Sequence, residues 1–414
     1  MNYLGITIIL LIIISFLLKI TADFLNLSKS RDRLPENFKR AYKPEKYRLS
    51  IQYLKTNTKF SIIVEICHLL VVLIFWLLKG FQWLDHLVRG FGLGPVISGL
   101  IYIGSIMLML FFISLPFSIY KTFAIEEKYG FNRTEWKTFL LDGIKGIALT
   151  LLFGVPLVAA ILAFFEYCGF HAWWLCWIFF IFFVLFVQYV SPTWVMPLFN
   201  KFEPLEPGSL KNEIIALSKS IAFPVKNIVV MDGSKRSNKS NAFFTGFGKS
   251  RRIVLYDTLV EKHNIRELLS ILAHEMGHYK KMHIFKSLVI SGIHSAVMFY
   301  LLSLVISKPE VFEAFYVQEV SVYAGLVFFG ILFSPVENIL NIFFLAYSRK
   351  NEYEADRFSV QCTGDPKSLI SGLIKLSTES LSNLAPHPMY VMLHYSHPPI
   401  VERIKRIESS AAAE

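Results

Sequence analysis

The chain has 414 residues, 54% of them hydrophobic, with a mean hydropathy of +0.49. That is too apolar for a soluble domain, and the excess falls in blocks long enough to cross a bilayer, so the sequence reads as an integral membrane protein. The formal net charge of +11 invites nucleic acid as a partner, but the basic residues gather in alternate loops between apolar blocks, which is a signal of membrane orientation and argues for no nucleic acid.

In chain order, Tyr3–Leu18 is the first predicted span; it lacks a basic leader and a small-residue cleavage site and reads as a retained anchor. Lys19–Phe60 is polar and basic. Ser61–Leu78 is the second span, with Glu65 and His68 inside it, and Val96–Tyr120 is the third, with Pro116 near its end. Ile144–Phe165 and Ala172–Val190 follow as the fourth and fifth, separated by a short loop containing Glu166. Cys67, Cys168, Cys176 and Cys362 form no CxxC pair, which excludes a disulfide framework and a cysteine-type zinc site.

A mostly polar region then runs from Ser191 to His283. Leu210–Ile221 has helical spacing, and Asn227–Met231, Ser240–Phe247 and Arg251–Leu259 are β-rich, the last two joined by Gly248-Lys249-Ser250. This small sheet leads into a helix predicted over Arg266–His283, where Leu268, Leu269, Leu272 and Met276 recur at helical spacing. The helix carries His274-Glu275-Met276-Gly277-His278. Residues four apart share a helix face, so both imidazoles can point at one Zn²⁺ while Glu275 stands beside the open coordination position as general base. A third His six residues after His278 would fall at Ile284, which cannot ligate, and His283 is one residue early and faces elsewhere on a continuous helix.

Ile284–Ile306 and Val322–Tyr347 are the sixth and seventh spans, the latter holding Pro335, Glu337, Asn338 and Asn341. Ionisable groups in a span are costly unless they face a bundle interior or water, so Glu65, His68 and Glu337 either glue helices together or line a polar cavity. Beyond the last span, Glu352-Tyr353-Glu354-Ala355-Asp356 supplies the missing ligand. Glu352 and Asp356 lie one turn apart, as a ligand and the acid that accepts the distal N–H of a ligating His do, whereas Glu354 points away. The expected organisation is a mainly α polytopic membrane protein with an inserted α+β zinc domain. Residues 1–190 hold spans one to five, 191–283 the zinc domain, 284–347 spans six and seven, and 348–414 the segment with the third ligand.

Lys19–Phe60 holds eleven Lys and Arg and Lys121–Lys145 five, whereas the opposite loops hold only Lys79, Arg89 and Lys308. By the positive-inside rule the zinc domain is cytosolic and the N-terminus outside, which leaves the sequons at Asn26, Asn132 and Asn238 unglycosylated. Both ligand segments abut spans, which puts the metal within roughly 10 Å of the bilayer surface. That position suits a substrate itself held in the membrane.

At these residues the chain resembles the integral-membrane zinc CAAX prenyl proteases. The likeness extends to Ile125-Glu126-Glu127-Lys128-Tyr129-Gly130-Phe131-Asn132, Pro197-Leu198-Phe199-Asn200-Lys201-Phe202, Gly233-Ser234-Lys235-Arg236-Ser237, Ser240-Asn241-Ala242-Phe243, Arg252–Leu259 and His394-Tyr395-Ser396-His397-Pro398-Pro399. The resemblance implies seven helices around an intramembrane chamber, one Zn²⁺ per chain and cleavage after a prenylated, for instance farnesylated, Cys to release the last three residues. It implies His274, His278 and Glu352 as ligands, Glu275 as catalytic base, Asp356 as support for a His ligand, and His397 and Arg403 at the site. It also implies that Asn241, Ala242 and Phe243 hold substrate backbone by β-addition. The membrane would be endoplasmic reticulum or inner nuclear in a eukaryote and the inner membrane in a bacterium. Two other readings compete: a quality-control protease with no strict prenyl requirement, and a transporter or receptor using the intramembrane His and Glu. Bound metal separates the transporter from both proteases.

Overall fold

The computed structural model describes residues 2–30, 34, 38, 43–246 and 251–413; the turn expected at Gly248-Lys249-Ser250 lies outside the described residues. Among the described residues seven helices are long and apolar enough to cross a membrane. The first two spans are α1 (Tyr3–Lys29) and α2 (Pro44–Leu77), followed by a short amphipathic helix, α3 (Gly80–Arg89). The third is α4 (Pro95–Tyr120), the fourth combines α5 (Trp136–Leu149) and α6 (Val155–Tyr167), and the fifth is α7 (Ala172–Val190), which runs on to α8 (Met196–Phe199). Beyond it come α9 (Ser209–Ser220), α10 (Asp257–Lys262) and α11 (Ile265–Lys280). The sixth span is α12 (His283–Val305); after α13 (Pro309–Ala314) the seventh is α14 (Val322–Thr363), and α15 (Pro366–Glu379), α16 (Pro388–His394) and α17 (Ile400–Ala413) close the chain.

The helices overrun the apolar blocks that announce them. Hydropathy marks only the stretch immersed in lipid, whereas a helix continues until its backbone hydrogen bonding is interrupted. Thus α14 carries on rigidly past the apolar residues to Thr363, ending where Gly364 takes a left-handed φ of 62°. π-helical turns interrupt the spans at Lys121–Glu126, Thr150–Gly154 and Ser191–Val195. The last two lie one turn before Pro156 and Pro197, whose rings would clash with the carbonyl four residues back in a regular α-helix.

Spans α4, α6, α7, α12 and α14 pack in a closed circuit, and α1 lies against α14, α2 and α16. In no span is more than 17% of the apolar window buried, as suits helices whose outer faces meet lipid. The end remote from the sheet is plugged by aromatic stacking, Trp76 on Phe315 at 4.0 Å and Phe315 on Phe328 at 4.1 Å. Of the intramembrane ionisable residues, His68 meets Ser114 at 3.2 Å and His294 meets Glu337 at 3.1 Å, each pair joining two spans, while Glu65 keeps a buried Oε2 with no hydrogen bond from the described residues.

The sheet has four strands rather than the three expected, in the order β1 (Phe202–Pro204), β2 (Asn227–Met231), β4 (Arg252–Tyr256), β3 (Ala242–Thr245). β1 escapes a sequence reading because it is three residues ending in Pro, tolerated only at an edge. β2 and β4 run parallel, and β3 pairs antiparallel with β4 through Ala242↔Leu255 and Phe244↔Ile253, leaving its other edge open. β4 stops at Tyr256 instead of Leu259, because the Asp257 carboxylate accepts N–H bonds from Ser234 and Thr258 and starts α10. The sheet and α9 pack on Leu268, Leu272 and Met276 of α11.

Candidate active site

α11 begins with a capping box: Asn264 Oδ1 accepts from Glu267 N at 2.9 Å and Glu267 Oε2 accepts from Asn264 N at 3.1 Å. Glu267 is buried and also accepts from Ser371 Oγ at 2.6 Å and Lys375 Nζ at 2.7 Å, so the cap locks α11 to α15. With its sheet-facing stripe buried in the core, α11 presents His274 and His278 to α14.

The two ring nitrogens His274 Nε2 and His278 Nε2 lie 3.2 Å apart. Glu352 from α14 closes the triangle, its Oε2 3.4 Å from His274 Nε2 and its Oε1 3.2 Å from His278 Nε2. These three residues are the metal-holding group found among the described residues. Contacts of 3.2–3.4 Å among the two imidazole nitrogens and the carboxylate oxygens let one small divalent ion be shared by all three side chains. Glu352 Oε2, though near His274 and Arg403, is moreover buried with no hydrogen bond from the described residues, a cost that a cation removes. The residues therefore fit a metal ion.

Asp356, one turn along α14, takes His274 Nδ1 at 2.9 Å. Burial alone would lower His274, but Asp356 and Glu352 outweigh it and push the imidazole up to about 9, while the bond to Asp356 leaves Nε2 as the nitrogen that faces Glu352. Arg403 of α17 is buried, and its Nε and Nη2 grip Asp356 at 2.8 and 2.6 Å while Nη1 stands 3.6 Å from Glu352. His397 is exposed within the site, with Nε2 3.3 Å from Glu352 Oε1 and Nδ1 2.9 Å from Ser396 Oγ.

Glu275 faces a cavity of ≈ 200 Å³ whose walls include Asn241, Ala242, His274, Glu352, His397 and Arg403. Burial, with Glu352 adding to it, pushes the Glu275 carboxyl above the usual carboxylate range despite the neighbouring histidines, which suits a group that must take up a proton near neutral pH. Asn241 accepts Tyr256 N–H through its backbone oxygen at 3.1 Å, so pairing with β4 starts one residue before β3. Phe243 falls on the opposite face of the strand, 6.3 Å from Tyr256, and does not line this cavity.

One residue is placed against expectation. The helix predicted over Arg266–His283 ends at Lys280, Met282 takes a left-handed φ of 59°, and His283 starts α12 buried beside His278. No local pattern foretells a left-handed methionine. The cap at Asn264 and Glu267, by contrast, is announced by a local Asn-x-x-Glu spacing.

Residues 23–201 match the family described as CAAX prenyl protease N-terminal, five membrane helices, and residues 204–411 match Peptidase family M48. The chain is 35% identical over 88% of its length to a CAAX prenyl protease 1 homolog of Oryza sativa subsp. japonica, covering 88% of that protein. It is 31% identical to CAAX prenyl protease 1 of Saccharomyces cerevisiae, over 92% of this chain and 89% of that one. The human CAAX prenyl protease 1 homolog is 32% identical over 77% and 76% of the two chains. The crystal structure of S. mikatae Ste24p superposes with a TM-score of 0.93 at 30% identity, covering 99% of this chain and 100% of that one.

Proposed function

The chain belongs to peptidase family M48, in its CAAX prenyl protease branch, and is a multi-pass membrane metalloprotease; from that premise we propose that it removes the C-terminal tripeptide of prenylated CAAX proteins with one Zn²⁺ held by His274, His278 and Glu352. The observation that carries the reading is the closeness of three elements: a three-residue ligand set, a half-buried carboxylate beside it and a strand edge, all around one cavity where α14 continues past its apolar stretch.

Zinc, when bound, supplies activation of a water and polarisation of the scissile carbonyl. Glu275 takes the attacking water's proton and returns it to the leaving amine. His397, exposed to the cavity, donates to the oxyanion. Arg403 is committed to Asp356, so it acts through the ligand shell and orients His274. Asn241 and Ala242 at the β3 edge pair with substrate backbone, so sequence preference is loose and the prenyl group, held by the chamber and lipid, sets register. The positive loops orient the zinc domain to the cytosol, and the membrane is that of the endoplasmic reticulum or inner nuclear envelope in a eukaryotic cell.

Incubation with a farnesylated CAAX peptide, with and without a zinc chelator, followed by mass spectrometry of the products, tests this. Release of the tripeptide only with zinc is expected. Glu275→Gln is expected to keep its zinc and lose turnover, because an amide cannot accept the proton while both imidazoles remain. A zinc-free Glu275→Gln would make Glu275 a ligand, and equal rates with identical cuts on prenylated and unprenylated peptides would favour the quality-control reading.

A further inference from the structure

On one continuous helix His278 and His283 would point about 140° apart, since each residue turns about 100°. The left-handed Met282 breaks that helix, and His283 swings back until its Nδ1 stands 3.1 Å from His278 Nδ1. One nitrogen of such a pair must donate and the other accept. His278 Nε2 faces His274 and Glu352 at 3.2 Å each, so its lone pair belongs to the ligand side and its proton to Nδ1. His283 Nδ1 is then the acceptor, and the His283 proton sits on Nε2, which lies 3.2 Å from Glu354 Oε2.

We propose that His283 and Glu354 are positioning residues: a His278–His283–Glu354 relay fixes the tautomer and ring plane of the second zinc ligand, as Asp356 does directly for the first. The inference rests on the zinc reading above. It gives every carboxylate of Glu352-Tyr353-Glu354-Ala355-Asp356 a task, one as ligand and one behind each histidine. It also gives a reason for the left-handed turn at Met282, a conformation that L-residues rarely adopt. His283 is 3% exposed, and a buried histidine serving packing alone would need neither its Nδ1 against a ligand nor a carboxylate behind it.

The test is zinc affinity of the purified full-length protein by chelator competition, alongside thermal unfolding of the zinc-stripped protein. His283→Leu removes the acceptor and is expected to weaken zinc by about 10–100-fold. His283→Asn places an oxygen near the former Nδ1 and is expected to recover most of that loss, a rescue that a packing role does not foresee. Glu354→Ala, whose side chain is 38% exposed and whose truncation therefore opens no buried cavity, is expected to weaken zinc by a smaller factor with unchanged unfolding of the stripped protein. Unaltered zinc affinity in His283→Leu, or in Glu354→Ala should the first not fold, overturns the relay, as does an Asn variant no better than Leu. A wild-type protein that binds no zinc overturns instead the metal reading beneath it.

Discussion

Gly277 sits inside the metal motif at the crossing of α11 and α14. A Cβ added there would lie 3.1 Å from Ala355 Cα, 3.1 Å from Phe358 Cδ1 and 3.2 Å from Phe358 Cβ. Carbon atoms rest at about 3.5–4.0 Å, and Ala355 Cα is backbone, so in Gly277→Ala the two helices must part by about 0.4 Å or more. The crossing holds His274 and His278 on one side and Glu352 on the other, and metal–ligand distances tolerate only about 0.2 Å. Zinc affinity is therefore expected to fall by about tenfold or more. Stability should move much less, because the helix gains about 1 kcal/mol from replacing Gly and loses about 1–3 kcal/mol to overpacking. Chelator competition and thermal unfolding of the stripped protein read the two effects separately. Gly330→Ala on α14, where an added Cβ meets nothing within 4 Å, is the control. A Gly277→Ala protein with wild-type zinc affinity and a raised Tm would refute the claim that close helix approach sets the ligand geometry.

Burial alone would raise the Glu267 carboxyl, but its bonds from Lys375, Ser371 and the Asn264 N–H outweigh that and hold it below its ordinary value of 4.5. A depressed folded-state pKa stabilises above the unfolded value and that stability is lost as pH falls through the folded one. Thermal unfolding from pH 7 to 3 should therefore show Glu267→Gln less stable than wild type at neutral pH, with the gap closing below about 4.5; a constant gap refutes the charge's role. Single cysteines at 132 and 166, in a background without the native thiols, should label from opposite sides of oriented vesicles, and labelling from one side would break the seven-span order. Ala242→Pro removes a strand N–H and should slow cleavage of prenylated and unprenylated peptides alike in a mass-spectrometric rate assay; loss with only one of them would place recognition elsewhere than backbone pairing.

Much of the molecule was legible because its signals are local. Apolar runs announce spans whatever surrounds them, and each of the seven coincides with a helix long enough to cross a membrane, to within a residue or within a longer helix. The four-residue spacings of His274 with His278 and of Glu352 with Asp356 put each pair on one helix face, and the structure brings the first three of these residues to one point. β1 and the early end of β4 were hidden, because a three-residue strand and an Asp257 turn carry no periodicity.

What the sequence by itself determined is thus the inventory: seven spans, a sheet leading to a metal helix, and which side chains share a face. Only the tertiary structure decided the partnerships across elements. The resemblance places Arg403 at the site, but its partner emerges only when α17 packs it onto Asp356, 47 residues away in the chain. His283 points away from the metal on any continuous helix, and only the left-handed Met282 turns it onto His278. Helical periodicity is a property of neighbouring dihedrals and can be read from spacing; a break in it is held by the packing of α12 and α14 around His283, and no run of adjacent residues encodes that.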